Sequence, residues 1–133
     1  MKAISFGWTT AALLAGRKTA TRRQWDRAYA RRFRRGDRVA ALDRAARFGG
    51  RRVAVIELTA SPIEEWTDQA PESDWEAEGF GYLSEIGATV GGRTPGALWE
   101  EWRQRPERLW VVRFRLVEAL VASPAGRQAR LIG

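Results

Sequence analysis

A chain of 133 residues with 44% hydrophobic and 29% charged side chains has the composition of one folded domain, not of a disordered or collagen-like polymer. The absence of cysteine excludes disulfides and thiolate chemistry, and the absence of histidine removes the commonest general base and metal ligand, so any reaction falls to Lys, Thr, Ser, Asp, Glu, Arg or Tyr. The formal net charge of +7 favours a polyanionic partner, because Lys and Arg release condensed counterions when they neutralise phosphates.

That charge is unevenly placed. Residues 16–52 hold fourteen Lys or Arg against three acids, whereas residues 57–101 hold eleven acids against one Arg. Only two lysines accompany twenty-one arginines, so a coding bias that replaces Lys by Arg competes with nucleic-acid binding as the source of the excess. Met1 to Gly7 lacks the apolar run of a signal peptide, and no stretch approaches the roughly 18 apolar residues that span a bilayer. The expected location is cytoplasmic, without membrane association. No tight acidic metal motif is present, and neither a metal nor a cofactor is expected.

In chain order, Lys2 to Gly7 alternates around Ile4 and Phe6 and predicts a short strand, after which Thr9 or Thr10 is placed to cap a helix over Ala11–Ala15. Gly16 stops that helix, and Arg17 to Arg23 reads as a loop or extended segment with its polar groups available. Trp25, Tyr29 and Phe33 recur every four residues, which predicts a short amphipathic helix with Arg27, Arg31, Arg32 and Arg35 on its other face. The turn at Gly36-Asp37 leads into a strand over Arg38–Leu42, and Gly49-Gly50 turns the chain into the clearest strand, Val53–Thr59, which Ser61-Pro62 ends. Apolar residues on both faces of that strand fit a barrel wall.

Beyond Pro71, the segment from Glu72 to Gly79 predicts a helix whose acids suit its positive N-terminal end. Gly87 to Gly96 reads as a loop, and Pro95 opens a helix carrying Leu98, Trp99 and Trp102. Leu109–Leu116 is the last strand, with Trp110, Val112, Phe114 and Leu116 on one face and Arg113 and Arg115 on the other. Four or five short strands with inserted helices, and no βαβ alternation, predict a small α+β barrel over residues 1–120, followed by a basic tail over 121–133.

The segment Gly16-Arg17-Lys18-Thr19-Ala20-Thr21-Arg22-Arg23 resembles the Gly-x-Lys-x-x-(Glu or Thr)-x-Arg signature of ASCH domains, a PUA-like β-barrel family. The order of the other elements agrees. Arg35-Gly36-Asp37-Arg38-Val39 resembles the family's Gly-Asp turn into a barrel strand, Ala54–Thr59 its next strand, Ala77-Glu78-Gly79-Phe80 its Glu-Gly element, and Trp110–Phe114 its closing strand. The resemblance runs over residues 3–118. With Thr at position 21, the signature is similar to that of the branch that hydrolyses the acetyl amide of N4-acetylcytidine. It implies Lys18, Thr21 and Glu78 as the catalytic set, with Glu76 as the other candidate for the glutamate. Arg23 matches the motif's arginine and, with its neighbour Arg22, completes the expected substrate contacts. The chain departs from the compact amidohydrolases in its length, its Trp-rich insertion around Trp99 and Trp102, and its basic tail.

The residues set conditions of their own on that chemistry. A threonine hydroxyl needs a base to take its proton, and without histidine the candidate is a lysine whose pKa is lowered by burial or by cations such as Arg17, Arg22 and Arg23. Lys18 and Thr21 converge in a helical turn and diverge in a fully extended strand, so the pairing asks for a turn. Glu78 either acts as acid or base toward the leaving amine or pairs with Lys18 and holds it charged, and the two roles are opposed. Trp8, directly after the first strand, is the candidate for stacking on a base; Trp99, Trp102 and Trp110 are assigned to the core. Three functions follow as expectations: a nucleoside- or RNA-directed protein that removes an acyl group from an N4-acetylcytidine-like substrate, a non-catalytic RNA-binding module using the Arg27–Arg35 face, or an endoribonuclease. The competing account of the motif is a solvated basic loop after a helix.

Overall fold

The structure is a computed structural model that describes residues 1–122. Most of the expected basic tail, from residue 123 onward, therefore lies outside the described residues. Six strands, β1 (Ala3–Ser5), β2 (Ala20–Arg23), β3 (Arg38–Leu42), β4 (Arg52–Leu58), β5 (Ile63–Trp66) and β6 (Arg108–Ala119), form one sheet. Five short helices accompany it: α1 (Thr10–Leu14), α2 (Arg27–Ala30), α3 (Asp74–Ala77), α4 (Phe80–Glu85) and α5 (Pro95–Gln104). The sheet is curled into a half-barrel, so the expected small α+β barrel is the fold observed, with one strand more than expected. No helix among the described residues is long and apolar enough to cross a membrane.

The strand order is β1-β3-β4-β6-β2, with β1 parallel to β3 and the remaining pairs antiparallel. The long strand β6 organises the rest. Its N-terminal half pairs with β2 on one edge and β5 on the other, and its C-terminal half pairs with β4. Irregularities between Val55 and Ile56 in the β4–β6 ladder, and between Ala41 and Leu42 in the β3–β4 ladder, fit the strong curl, because an extra residue bends and twists a ladder. β1 and β2 end the path and leave a seam between them.

The main core fills the concave side of the sheet: Ile4, Phe6, Leu13, Val39, Ile56, Val112 and Phe114 are all buried there. A second layer, made by Phe80, Trp102 and Leu109, packs α4 and α5 against β6. Pro95 supplies a preset φ at the first turn of α5, as the sequence predicts, and Thr94 caps the helix by accepting from the Ala97 amide at 3.1 Å.

Of the loop or extended segment expected over Arg17–Arg23, the extended alternative is the one found: it holds strand β2 through pairing with β6. Three other sequence expectations need correction. The aromatic helix is one turn long; Trp25 precedes it and Phe33 follows it, and the two rings stack at 4.7 Å to close one end of the core. β5 follows Ser61-Pro62 unforeseen, since an exposed Ile-Glu-Glu-Trp edge strand carries no alternating apolar signal. The acidic helix ends at Ala77, and α4 begins beyond Gly79, its own signal weakened by Gly81.

Candidate functional site

Lys18 owes its position to the end of α1. Gly16 adopts φ 73°, its amide donates to the Leu13 carbonyl, and the Arg17 amide donates to the Ala12 carbonyl. This is a Schellman closure, for which glycine is the residue without a Cβ penalty. The Lys18 amide also donates to the Ala12 carbonyl at 3.1 Å, so the lysine leaves the helix in a fixed direction. Thr19 is then stapled on both sides, its amide to the Ala77 carbonyl at 2.7 Å and its carbonyl to the Phe114 amide at 2.9 Å. These bonds bring the end of α1 against the end of α3, and thereby Lys18 against Glu78.

Gly79 completes the approach. Its φ of 87° turns the chain between α3 and α4, and a Cβ there would lie 2.6 Å from the Ala12 Cβ and 3.3 Å from the Lys18 Cβ. The turn directs both the carbonyl and the carboxylate of Glu78 at the lysine: Lys18 Nζ donates to the Glu78 carbonyl at 2.8 Å and to Oε1 at 3.4 Å. Gly79→Ala is expected to cost at least about 2 kcal/mol, through left-handed strain and the clash with Ala12. Urea unfolding checks this, and an unchanged midpoint contradicts it.

Glu78 is shared. Its Oε2 accepts from Arg22 Nη1 at 2.7 Å, while Arg22 Nη2 donates to Asp74 Oδ2 at 2.7 Å and to Glu65 Oε1 at 3.0 Å. Asp74 is in turn gripped bidentately by Arg113, with both contacts at 2.9 Å. Burial opposes the charge on Arg22, but Glu78 and Asp74 together outweigh it and raise its pKa. Burial likewise works against the ionised Asp74, yet Arg113 and Arg22 hold its pKa below the usual carboxylate value. Lys18 ends differently. It is 1% exposed, and burial, with help from Arg23 and Arg22, pushes its pKa down to about 8 against the pull of Glu78. Near neutral pH roughly a tenth of such a lysine is unprotonated.

Thr21 and Arg23 alternate with Arg22 along β2. Thr21 is buried, and its Oγ1 accepts from Arg23 Nε at 3.1 Å. The bond leaves the hydroxyl proton of Thr21 free to be given away. Lys18 and Thr21 line one cavity without the helical turn that the spacing asks for: Lys18 precedes the strand and Thr21 lies within it. Lys18 Nζ is bonded to Glu78, and Thr21 Oγ1 to Arg23.

That cavity, of about 270 Å³, lies at the seam where the end of β1 approaches β2. Of the residues expected from sequence, Lys18, Thr21, Arg22, Arg23, Glu78 and Trp8 all line it. Glu76 is not among them; it is exposed and pairs with Arg17 on the outer surface, so Glu78 is the glutamate of the site. Arg22 departs from its expected role, because three carboxylates engage its terminal nitrogens and leave it a structural member of the wall. Trp8 stands 65% exposed at the mouth, free to cover a ligand. Phe80, Leu98 and Trp102 supply an apolar wall that the sequence did not suggest. Trp102 was assigned to the core by its helical spacing; it is buried, and it also faces the cavity with its ring 5.7 Å from the Arg22 guanidinium. Its distance in sequence from the motif hid the second role.

No protein-family model matches the sequence, and no curated protein matches it. The fold is similar to the crystal structure of protein EF3133 from Enterococcus faecalis V583, described by the family model DUF984. The likeness has a TM-score of 0.54 and 19% identity, and covers 91% of this chain and 83% of that one. At that identity it establishes the shared half-barrel architecture.

Proposed function

We propose that this chain is a nucleotide- or RNA-directed domain of the ASCH type whose seam cavity holds a pyrimidine base, and that it hydrolyses the acyl amide of an N4-acetylcytidine-like substrate. The observation that carries the reading is one cavity joining a buried lysine with a pKa near 8, a threonine hydroxyl with a free proton, and a glutamate. Trp8 covers one face of the base, and stacking of this kind contributes about 1–3 kcal/mol per base. Glu78, already accepting from Lys18 and Arg22, accepts the N–H of the exocyclic nitrogen.

In the reaction, the unprotonated Lys18 amine turns from the Glu78 carbonyl to Thr21 and takes the hydroxyl proton as Oγ1 bonds to the acyl carbon. The tetrahedral intermediate collapses with cleavage of the carbon–N4 bond, and the lysine ammonium returns the proton to the departing N4. Water then attacks the acyl-threonine ester, with Lys18 again taking the proton of the attacking oxygen; as the bond from the acyl carbon to Oγ1 breaks, the lysine ammonium returns the proton to Thr21 and the acid is released. Arg23 holds Thr21 in place through its Nε. Incubation with N4-acetylcytidine, followed by chromatography, is expected to yield cytidine and acetate. Absence of any turnover removes the hydrolase from the reading.

A second reading, an RNA-binding module without catalysis, draws on a separate observation. Lys18 is bonded to Glu78, and Arg27, Arg31, Arg32, Arg34 and Arg35 make none of the ion pairs formed among the described residues. It requires RNA affinity that falls steeply with salt, by about 0.7 in the log–log slope for each phosphate of a single strand. Affinity insensitive to salt contradicts it.

A further inference from the structure

One cation of the seam cavity has no carboxylate beside it. Three cations line the cavity, Lys18, Arg22 and Arg23. Glu78 pairs with the first two, and Asp74 and Glu65 add to Arg22. Among the described residues, Arg23 has no carboxylate within the 4.0 Å of an ion pair. Its Nε is engaged by Thr21 Oγ1 at 3.1 Å, and its guanidinium carbon lies 5.4 Å from the centre of the Phe6 ring. The exposed arginines of residues 27–35 lack carboxylates too, but water solvates them at no cost. Arg23 is partly buried, where a cation without a counter-charge is unfavourable. Burial pushes its pKa down, and the more distant charge of Glu78 does not offset this.

A guanidinium with its two terminal nitrogens open is the side chain best matched to a tetrahedral oxyanion, which it binds through two parallel N–H donors. We infer that its counter-charge comes with the ligand: Arg23 receives a phosphate of a nucleotide whose base occupies the cavity, so that a phosphorylated nucleoside binds more tightly than the free nucleoside. The inference rests on the pyrimidine reading for the base, while the phosphate contact stands on Arg23 alone. A nucleoside monophosphate and a phosphodiester within RNA offer the same chemistry, and the ligands of the test separate them.

Calorimetric titration of the whole chain with cytidine, cytidine 5′-monophosphate, cytidine 3′-monophosphate, the dinucleoside phosphate CpC and ribose 5-phosphate, repeated with Arg23→Gln, is decisive. Wild type is expected to bind at least one phosphorylated ligand about tenfold or more tighter than cytidine, the gain of one charge-assisted contact. In Arg23→Gln the ratio of the two affinities falls to about one, whatever their absolute values. Preference for a monophosphate names a free nucleotide, and preference for CpC names RNA; either supports the inference. A wild-type ratio near one overturns it, as does a ratio that survives in Arg23→Gln. The comparison within wild type needs no variant to fold. Arg23-dependent binding of ribose 5-phosphate with cytidine inert sinks the pyrimidine reading and keeps the phosphate contact. Cytidine binding with no gain from phosphate does the reverse.

Discussion

Replacing Lys18 by Met is expected to lower deacylation of N4-acetylcytidine by a factor of about 10² or more, the usual contribution of a positioned base, without loss of stability. The two effects separate because they have different origins. Catalysis needs an amine beside Thr21, and no other lysine or histidine can replace it: the only second lysine is Lys2, which pairs with Asp37 elsewhere. Stability, in contrast, bears the burden of a buried ammonium, which Met of similar length removes. Glu78 keeps its contact with Arg22 in that variant, so no buried carboxylate is stranded, and it is stranding of the partner that makes loss of a buried charge costly. The pH dependence gives a second handle. The Lys18 pKa falls from 10.5 to about 8 on folding, so between those values the unfolded chain binds more protons than the folded one. The lysine therefore makes stability rise with pH across that window, and its cost is constant below pH 8. Subtracting the Lys18→Met stability curve from that of wild type isolates this rise. A flat difference contradicts the burial of the ammonium.

Glu78→Gln is expected to behave in the opposite way, lowering stability by about 3–5 kcal/mol as well as ending function, because it leaves buried cations facing an uncharged amide. Arg22 keeps Asp74 and Glu65, so most of the loss falls on Lys18, which retains only the Glu78 carbonyl and the amide oxygen. The double variant Lys18→Met with Glu78→Gln then recovers part of the stability, since the stranded ammonium is gone. Denaturant unfolding of the four proteins closes a double-mutant cycle. Additive losses would show that the pair does not interact.

These opposed outcomes follow from details that the sequence carried unequally. β3 and the start of α5 were legible because each is a local signal: an apolar strand after a Gly-Asp turn, and a proline at a helix start. The half-barrel followed from the number and shortness of the strands. β2 was legible only as an extended possibility, since Thr21, Arg22 and Arg23 carry no apolar period and the strand exists through its ladder with β6. Helix α4 lay behind Gly79, whose lack of a Cβ makes room for Ala12, sixty-seven residues earlier in the chain.

The site divides along the same line. Lys18, Thr21 and Arg23 were nameable from one short motif, and Glu78 was nameable only by the order of elements. The turn at Gly79 sends Glu78 inward to Lys18 and leaves Glu76 on Arg17, a difference with no local sequence signal. Arg22 looked like a ligand contact from its place beside Thr21, yet its partners Asp74 and Glu65 come from segments with no signature. The wall of Phe80, Leu98 and Trp102 is long-range packing. Helical spacing says that such residues are buried, and does not say that one side of them faces a cavity.

With two lysines in the chain, lysine-selective ¹³C labelling resolves Lys18 from Lys2 in one spectrum, and a pH titration of the Lys18 Cε resonance with and without cytidine reads the site directly. The predicted result is a midpoint at about 8 for Lys18, displaced by cytidine. A Lys18 midpoint at the ordinary 10.5, unmoved by cytidine, would contradict both the buried lysine and the base-binding cavity.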